Sequence, residues 1–222
     1  MWRRLITGNR KAGTRFHDHN GWLLDTFGFL YLPKSVLTTL LAKLANRYAE
    51  LPMLGFRAIK RLDRLIKSDW KILEFGSGMS TIWLARRCEL LVSIEVNADW
   101  RQIVQSRLAR RFLTNVDYRL CNYSDAHILA DYDDAGFDLV LVDGVRRDRA
   151  MMTALEKVRP GGYIYLDNSD YPHEEYQTAR AMLLNAAGGE SSVQIFRDLT
   201  PSRVWVTEGI LARVTAEPIT PR

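Results

Sequence analysis

Cysteine is nearly missing from this chain of 222 residues: Cys88 and Cys121 are the only two. Two thiols cannot build a four-cysteine metal site or a disulfide framework. Both lie among apolar neighbours, where each reads as a small core residue, and a reducing cytoplasm suits that pattern. Long apolar runs are missing as well. The stretch over 21–44 is cut by Asp25, Pro33, Lys34 and Lys43, so no transmembrane helix is expected. The N-terminal Trp2-Arg3-Arg4-Leu5-Ile6-Thr7-Gly8 is basic but lacks the apolar region of a secretory signal. Histidine is scarce. His17 and His19 have no further ligands at metal-binding spacing and read as solvated side chains.

The chain is long enough to bury a full core, and one domain preceded by an extension suits its length. Its net charge of +5 is unevenly placed. Residues 1–70 hold 13 Lys and Arg against 5 Asp and Glu, and residues 71–222 hold 18 against 21. The basic character therefore belongs to the extension. Scattered cations on solvated helix faces account for it, and an anionic partner such as a membrane surface is the alternative.

Residues 1–20 show no periodicity and read as an arm. After Pro33, residues Val36, Leu37, Leu40, Leu41, Leu44 and Tyr48 recur at helical spacing, with Ser35 as the expected cap. A second amphipathic helix follows Pro52, with Phe56, Ile59, Leu62 and Ile66 on its apolar face. Both are expected to pack against the domain that begins at residue 71. From there strand and helix alternate, as in a parallel sheet with crossover helices. Strands are predicted over 71–75, 90–95, 116–120, 137–142, 163–166, 193–197 and 203–207, and helices over 80–87, 98–111, 149–158 and 174–186.

In an open sheet of this kind ligands sit beyond the carboxyl ends of the strands. Those ends are polar or acidic here: Glu74 before Gly76-Ser77-Gly78, Glu95, Asn122, Asp143-Gly144 and Asp167-Asn168-Ser169-Asp170. The glycine turn, followed by Ser80-Thr81 at a helix start, lets a small ligand approach backbone N–H groups. Glu95 stands 19 residues after Gly76, where a carboxylate can accept from both hydroxyls of a ribose. A nicotinamide dinucleotide or S-adenosylmethionine would fit. The dinucleotide fingerprint wants a third glycine where Thr81 stands.

Four stretches together resemble the class I S-adenosylmethionine-dependent methyltransferases. They are Glu74-Phe75-Gly76-Ser77-Gly78, Glu95, Phe137-Asp138-Leu139-Val140-Leu141-Val142-Asp143-Gly144 and Val158-Arg159-Pro160-Gly161-Gly162-Tyr163. The resemblance spans about residues 71–210. It implies a Rossmann-like class I methyltransferase fold: a seven-stranded, mostly parallel sheet with helices on both faces and an antiparallel edge hairpin, here with an N-terminal helical extension. It implies S-adenosylmethionine as cofactor, held by Glu74, Gly76, Ser77, Gly78, Ser80, Thr81, Glu95, Asn122 and Asp143. The segment Cys121-Asn122-Tyr123-Ser124-Asp125 would lie near the adenine.

Asp143, Asp167 and Asn168 also resemble the metal triad of catechol-type O-methyltransferases, which implies Mg²⁺ or another divalent cation activating the acceptor oxygen. That group carries a catalytic lysine three residues after its first Asp, where this chain has Arg146, an anion clamp and a poor base. His173 is the candidate general base. The expected activity is O-methylation of a small molecule or glycan, as in bacterial natural-product and surface-glycan methyltransferases. No nucleic-acid partner is expected, and a homodimer is compatible with the reading. The alternatives are a methyltransferase-like binding module that has lost catalysis and a dinucleotide-dependent oxidoreductase.

Overall fold

The computed structural model describes residues 13–122 and 128–215. Tyr123, Ser124 and Asp125, expected near the adenine, lie outside the described residues. Three helices come first: α1 (Thr26–Phe29), α2 (Leu32–Ala45) and α3 (Phe56–Leu65). Then follow β1 (Lys71–Phe75), α4 (Met79–Ala85), β2 (Leu90–Glu95), α5 (Ala98–Ala109), β3 (Val116–Leu120) and β4 (Phe137–Val142). The chain continues through α6 (Arg147–Lys157), β5 (Val158–Asp167), α7 (Glu174–Ala186), β6 (Val193–Thr200) and β7 (Arg203–Arg213).

The seven strands form one sheet in the order β3-β2-β1-β4-β5-β7-β6. β1 to β5 are parallel, and β7 runs antiparallel to both β5 and β6, so the expected edge hairpin is present. The chain steps outward from β1 to β3 and returns to β4. The strand order reverses between β1 and β4, which opens a crevice at their carboxyl ends.

Alternation along the strands divides the core into two layers. Leu73, Phe75, Val92, Ile94, Val140, Val142, Ile164 and Leu166 meet Ala150, Met151, Ala154, Ala179 and Leu183 of α6 and α7. Ile72, Leu91, Leu139, Leu141 and Tyr165 face the other way, onto Leu54, Phe56, Ala58, Ile59 and Leu62. Fully burying each such aliphatic or aromatic side chain stabilises the fold by about 1.5–3 kcal/mol. The second amphipathic helix thus covers one face of the sheet with the residues its periodicity marks.

Three strands are longer than predicted: β5, β6, which runs on to Thr200, and β7. β5 begins at Val158, which pairs with Phe137 across a register irregularity. The Pro-Gly-Gly stretch stays in the sheet because Val214 exchanges backbone bonds with Gly161 and Gly162 at 2.7 and 2.9 Å. β7 runs through Gly209, where a Cβ would lie 2.0 Å from the Tyr165 hydroxyl. Glycine here is a close approach to the neighbouring strand, not a strand end.

The first amphipathic helix is turned over relative to its apolar pattern. α2 buries Ser35, Thr38, Thr39 and Ala42, while Leu44 is 81% and Leu37 57% exposed. Ser35 is not the cap; it stands within the helix, and its hydroxyl donates to the Thr200 and Arg203 carbonyls at 2.9 and 3.3 Å. The Thr38 hydroxyl accepts from the Ser202 N–H at 3.0 Å. Small hydroxyl residues let the helix come close to the β6–β7 turn and satisfy its backbone, which leucines could not do. Among the described residues no helix is long and apolar enough to cross a membrane.

Candidate functional site

The crevice between β1 and β4 is built on glycine. Gly76 ends β1 with φ 91°, and a Cβ there would lie 2.6 Å from both the N and Cα of Gly144. The two strand ends therefore touch backbone to backbone, tied by Asp143 N–H to Phe75 O, while Gly76 N–H to Ile94 O ties the turn to β2, both at 2.9 Å. Gly78 differs: its φ of 175° is ordinary extended backbone, and a Cβ would meet nothing nearer than Ser80 Oγ at 3.9 Å. The chain itself does not require glycine at 78; a bare Cα there leaves room for something else.

Beneath the turn, Glu74 is fully buried. Its Oε2 accepts from the Thr81 and Ser93 hydroxyls at 2.6 Å each, and Thr81 Oγ1 accepts from the Gly78 N–H at 2.9 Å. Burial pushes the Glu74 carboxyl up to about 7, against those hydrogen bonds. Glu74, Ser80 and Thr81 hold the turn from below and do not line the crevice.

Glu95, at the end of β2, does line it. Oε1 accepts from the Val96 and Asn97 N–H groups at 2.9 Å, and Oε2 from the Ser77 N–H at 3.2 Å and the Ser77 hydroxyl at 2.7 Å. Four donors hold this carboxylate in place, and a ligand hydroxyl would have to displace the Ser77 hydroxyl. The turn is braced further by Trp100, whose indole N–H donates to the Ser77 carbonyl at 2.8 Å, and by Tyr118, whose hydroxyl is 2.6 Å from Ser77 Oγ.

On the β4 side Arg147 dominates. It is 4% exposed. Its Nη2 donates to Asp143 Oδ1 and to Asn168 Oδ1, both at 2.9 Å, and its Nε donates to the Asp167 carbonyl at 3.0 Å. Nη1 donates to the Gly144 carbonyl and, at 3.2 Å, to the Tyr176 hydroxyl, and the guanidinium carbon sits 4.5 Å from the Tyr176 ring centroid. Burial raises Asp143 while Arg147 pulls it back. Asp167 is pushed well above the carboxylate range, by burial first and then by the Asp143 charge. The result is a cavity of about 370 Å³ bounded by Gly76, Ser77, Glu95, Asp143, Arg147 and Asn168.

By sequence the chain matches no protein-family model and no curated protein. By structure it is similar to a putative O-methyltransferase from Klebsiella pneumoniae, at 22% identity over 84% of this chain and 100% of that one, with a TM-score of 0.59. It is also similar to an S-adenosylmethionine-dependent O-methyltransferase from Thermotoga maritima, at 16% identity over 72% and 64% of the two chains, with a TM-score of 0.54. The chain has the class I methyltransferase fold. The [4+2]-cyclase SpnF shares it too, at 14% identity over 90% and 97% of the two chains, with a TM-score of 0.52. The class I methyltransferase fold therefore carries more than one chemistry.

Within this fold the expected residues divide. Gly76, Ser77, Glu95, Asp143 and Asn168 meet at one cavity. Asn122 is exposed just past β3 and is not among its lining. Arg146 takes a left-handed conformation at φ 46°, is 54% exposed in its side chain and pairs with Asp148 at 2.9 Å. His173 is exposed at the start of α7, also outside the lining. The neighbouring Arg147, one residue on and four after Asp143, takes the place given to Arg146. The helix starts between the two arginines, so an i, i+4 pairing with Asp143 was the available signal.

The expected metal triad does not fit a divalent ion. Asp143 Oδ1 and Asn168 Oδ1 both accept from one Arg147 nitrogen. Asp167 offers Arg147 its carbonyl, while its side chain, 3% exposed, is approached by the Tyr165 hydroxyl at 3.5 Å. A buried guanidinium already supplies the cation at this place, and a metal would have to expel it. Among the described residues no group of three or more His, Cys, Asp or Glu could hold a metal.

Proposed function

We propose that this chain is an S-adenosylmethionine-dependent methyltransferase that moves a methyl group to an oxygen of a small molecule or sugar. The observation that carries the reading is one cavity with Glu95 and the Gly76-Ser77 turn on one side and Asp143 on the other. The open Cα of Gly78 lets the methionine part of the cofactor lie against the turn, and Glu95 accepts from the ribose hydroxyls in place of Ser77. Each such charge-assisted bond is worth about 1.5–3 kcal/mol. The bound sulfonium would supply the electrophilic methyl carbon.

The protein's part is positioning and proton removal, since the displacement itself needs only an aligned nucleophile. Asp143 is the base of this proposal: its burial makes it a stronger proton acceptor than a solvated carboxylate, and it borders the cavity. Arg147 is a positioning residue that fixes Asp143 and Asn168. Arg146 and His173, both turned to solvent, have no part in the reaction. No divalent ion is required.

The test is transfer of radiolabelled methyl from S-adenosylmethionine to a panel of hydroxylated small molecules and glycans, run with Mg²⁺ and with EDTA. Transfer that is equal in both supports the reading. Transfer only with Mg²⁺ would overturn the role given to Arg147, and an amine product would overturn the oxygen acceptor.

A further inference from the structure

A second and larger cavity, about 950 Å³, opens beneath α2. Its walls come from Arg15, α2, the segment 46–53 and the β6–β7 turn. Volumes of this order hold a drug-sized ligand. Its composition is one-sided. Arg15, Lys43 and Arg203 line it and no Asp or Glu does. Lys43 and Arg203 have no carboxylate within ion-pair distance among the described residues. Three aromatic side chains, Phe16, Tyr48 and Trp205, line it among aliphatic ones, and Arg203 and Arg15 lie over the Trp205 ring at 5.2 and 6.0 Å. Arg15 Nη1 already donates to the Val204 carbonyl at 3.3 Å, whereas a guanidinium stacked on an indole, as at Arg203, can offer its edge to an anion while the ring plane stays fixed.

The two cavities lie along one strand, β7, against which the segment at Arg15 is bound by the Val206 N–H to Arg15 O hydrogen bond at 3.1 Å. Asn168 donates to the Thr207 hydroxyl at 2.7 Å. Trp205 and Arg203 follow two and four residues back along the same strand, which at the usual strand rise is about 7 and 14 Å. The segment before α1 closes this side: the His19 N–H donates to Asp170 Oδ2 at 2.6 Å, just beyond Asn168. An acceptor with one end at Asp143 and Asn168 and its anion at Arg203 has to span this stretch of β7.

We propose that this cavity receives the acceptor, and that the acceptor is an aromatic small molecule carrying a carboxylate, sulfate or phosphate. Lys43 and Arg203 hold the anion, and Trp205 and Tyr48 contact the ring. The proposal rests on the methyltransferase reading and deepens it by naming the substrate class. It also gives the basic bias of residues 1–70 a local purpose at Arg15 and Lys43.

Calorimetric titration with 1-naphthyl phosphate and with 1-naphthol, each with and without S-adenosylhomocysteine, tests it. The phosphate is expected to bind at least tenfold more tightly than the naphthol, with or without the homocysteine. K43Q combined with R203Q is expected to remove that preference, and R203K to retain part of it, with melting temperature and S-adenosylhomocysteine affinity unchanged in both. Equal binding of the two probes overturns the proposal, as does a preference that survives the double variant. So does competition between naphthyl phosphate and S-adenosylhomocysteine, which would put the anion in the smaller cavity. Failure of S-adenosylhomocysteine to bind would instead remove the methyltransferase reading, and with it the acceptor role, whatever the probes do.

Discussion

The Arg147 guanidinium lies 2.9 Å from the Asp143 carboxylate, and the same nitrogen donates to Asn168 at the same distance. A fixed cation thus sits among the three side chains that a catechol-type enzyme would give to a metal. Removing it with Arg147→Ala leaves Asp143, Asn168 and the Gly144 and Asp167 carbonyls without their donor. The expected loss of stability is about 3 kcal/mol, at the low end for a broken buried pair because the Asp143 side chain is 24% exposed. Urea denaturation measures it, and Arg146→Ala, on a solvent-facing side chain, is expected to stay within about 0.5 kcal/mol of wild type.

Gly76 and Gly78 are expected to separate folding from binding. Gly76→Ala places a Cβ into Gly144 backbone at a positive φ and should destabilise the protein by at least about 3 kcal/mol. Gly78→Ala meets no protein atom within 3.4 Å. Its melting temperature should not change while S-adenosylhomocysteine affinity falls tenfold or more. Paired melting and calorimetry on the two variants check this.

Glu74 makes stability depend on pH. Its folded-state pKa, raised to about 7 by burial, exceeds the ordinary 4.5, so the folded protein holds the proton more tightly than the unfolded chain. The stabilisation is complete below pH 4.5 and is lost as pH rises through about 7. A shift of that size amounts to about 3 kcal/mol. Asp170, raised to about 6 by burial, acts in the same direction. Denaturation of wild type between pH 5 and 8 should show falling stability, and Glu74→Gln should show a shallower fall with the Asp170 part remaining.

The inverted helix α2 gives a further test. Leu44→Gln, on its exposed face, is expected to change stability by less than about 0.5 kcal/mol. Thr39→Leu, on the buried face where Thr39 Oγ1 donates to the Ser35 carbonyl at 2.6 Å, should cost about 1–3 kcal/mol by overpacking against the β6–β7 hairpin. Equal effects of the two would contradict the orientation of the helix.

The inner parallel strands β1, β2 and β4 were legible because each buries both faces and reads as a short apolar run with an acidic residue at or beside its end, as Leu90 to Glu95 does, and the half-buried edge strand β3 because Val116, Tyr118 and Leu120 alternate with polar residues. The cavity residues at β1 and β2 were legible because turn chemistry is local: Gly76 needs a positive φ whatever surrounds it. The roles of Arg146 and Arg147 were not, since the choice between them depends on where one helix starts. The face of α2 was hidden for a similar reason. Apolar periodicity locates a stripe, but close packing against a turn selected the serine and threonine side instead.

The central claim is that Glu95 and the glycine turn bind an adenosyl cofactor, and calorimetric titration with S-adenosylhomocysteine tests it most directly, on wild type and on Glu95→Gln and Glu95→Ala. Micromolar binding by wild type, weakened at least tenfold in both variants, with no binding of NADH, is the predicted result. NADH binding without S-adenosylhomocysteine binding, or an affinity indifferent to residue 95, would contradict it.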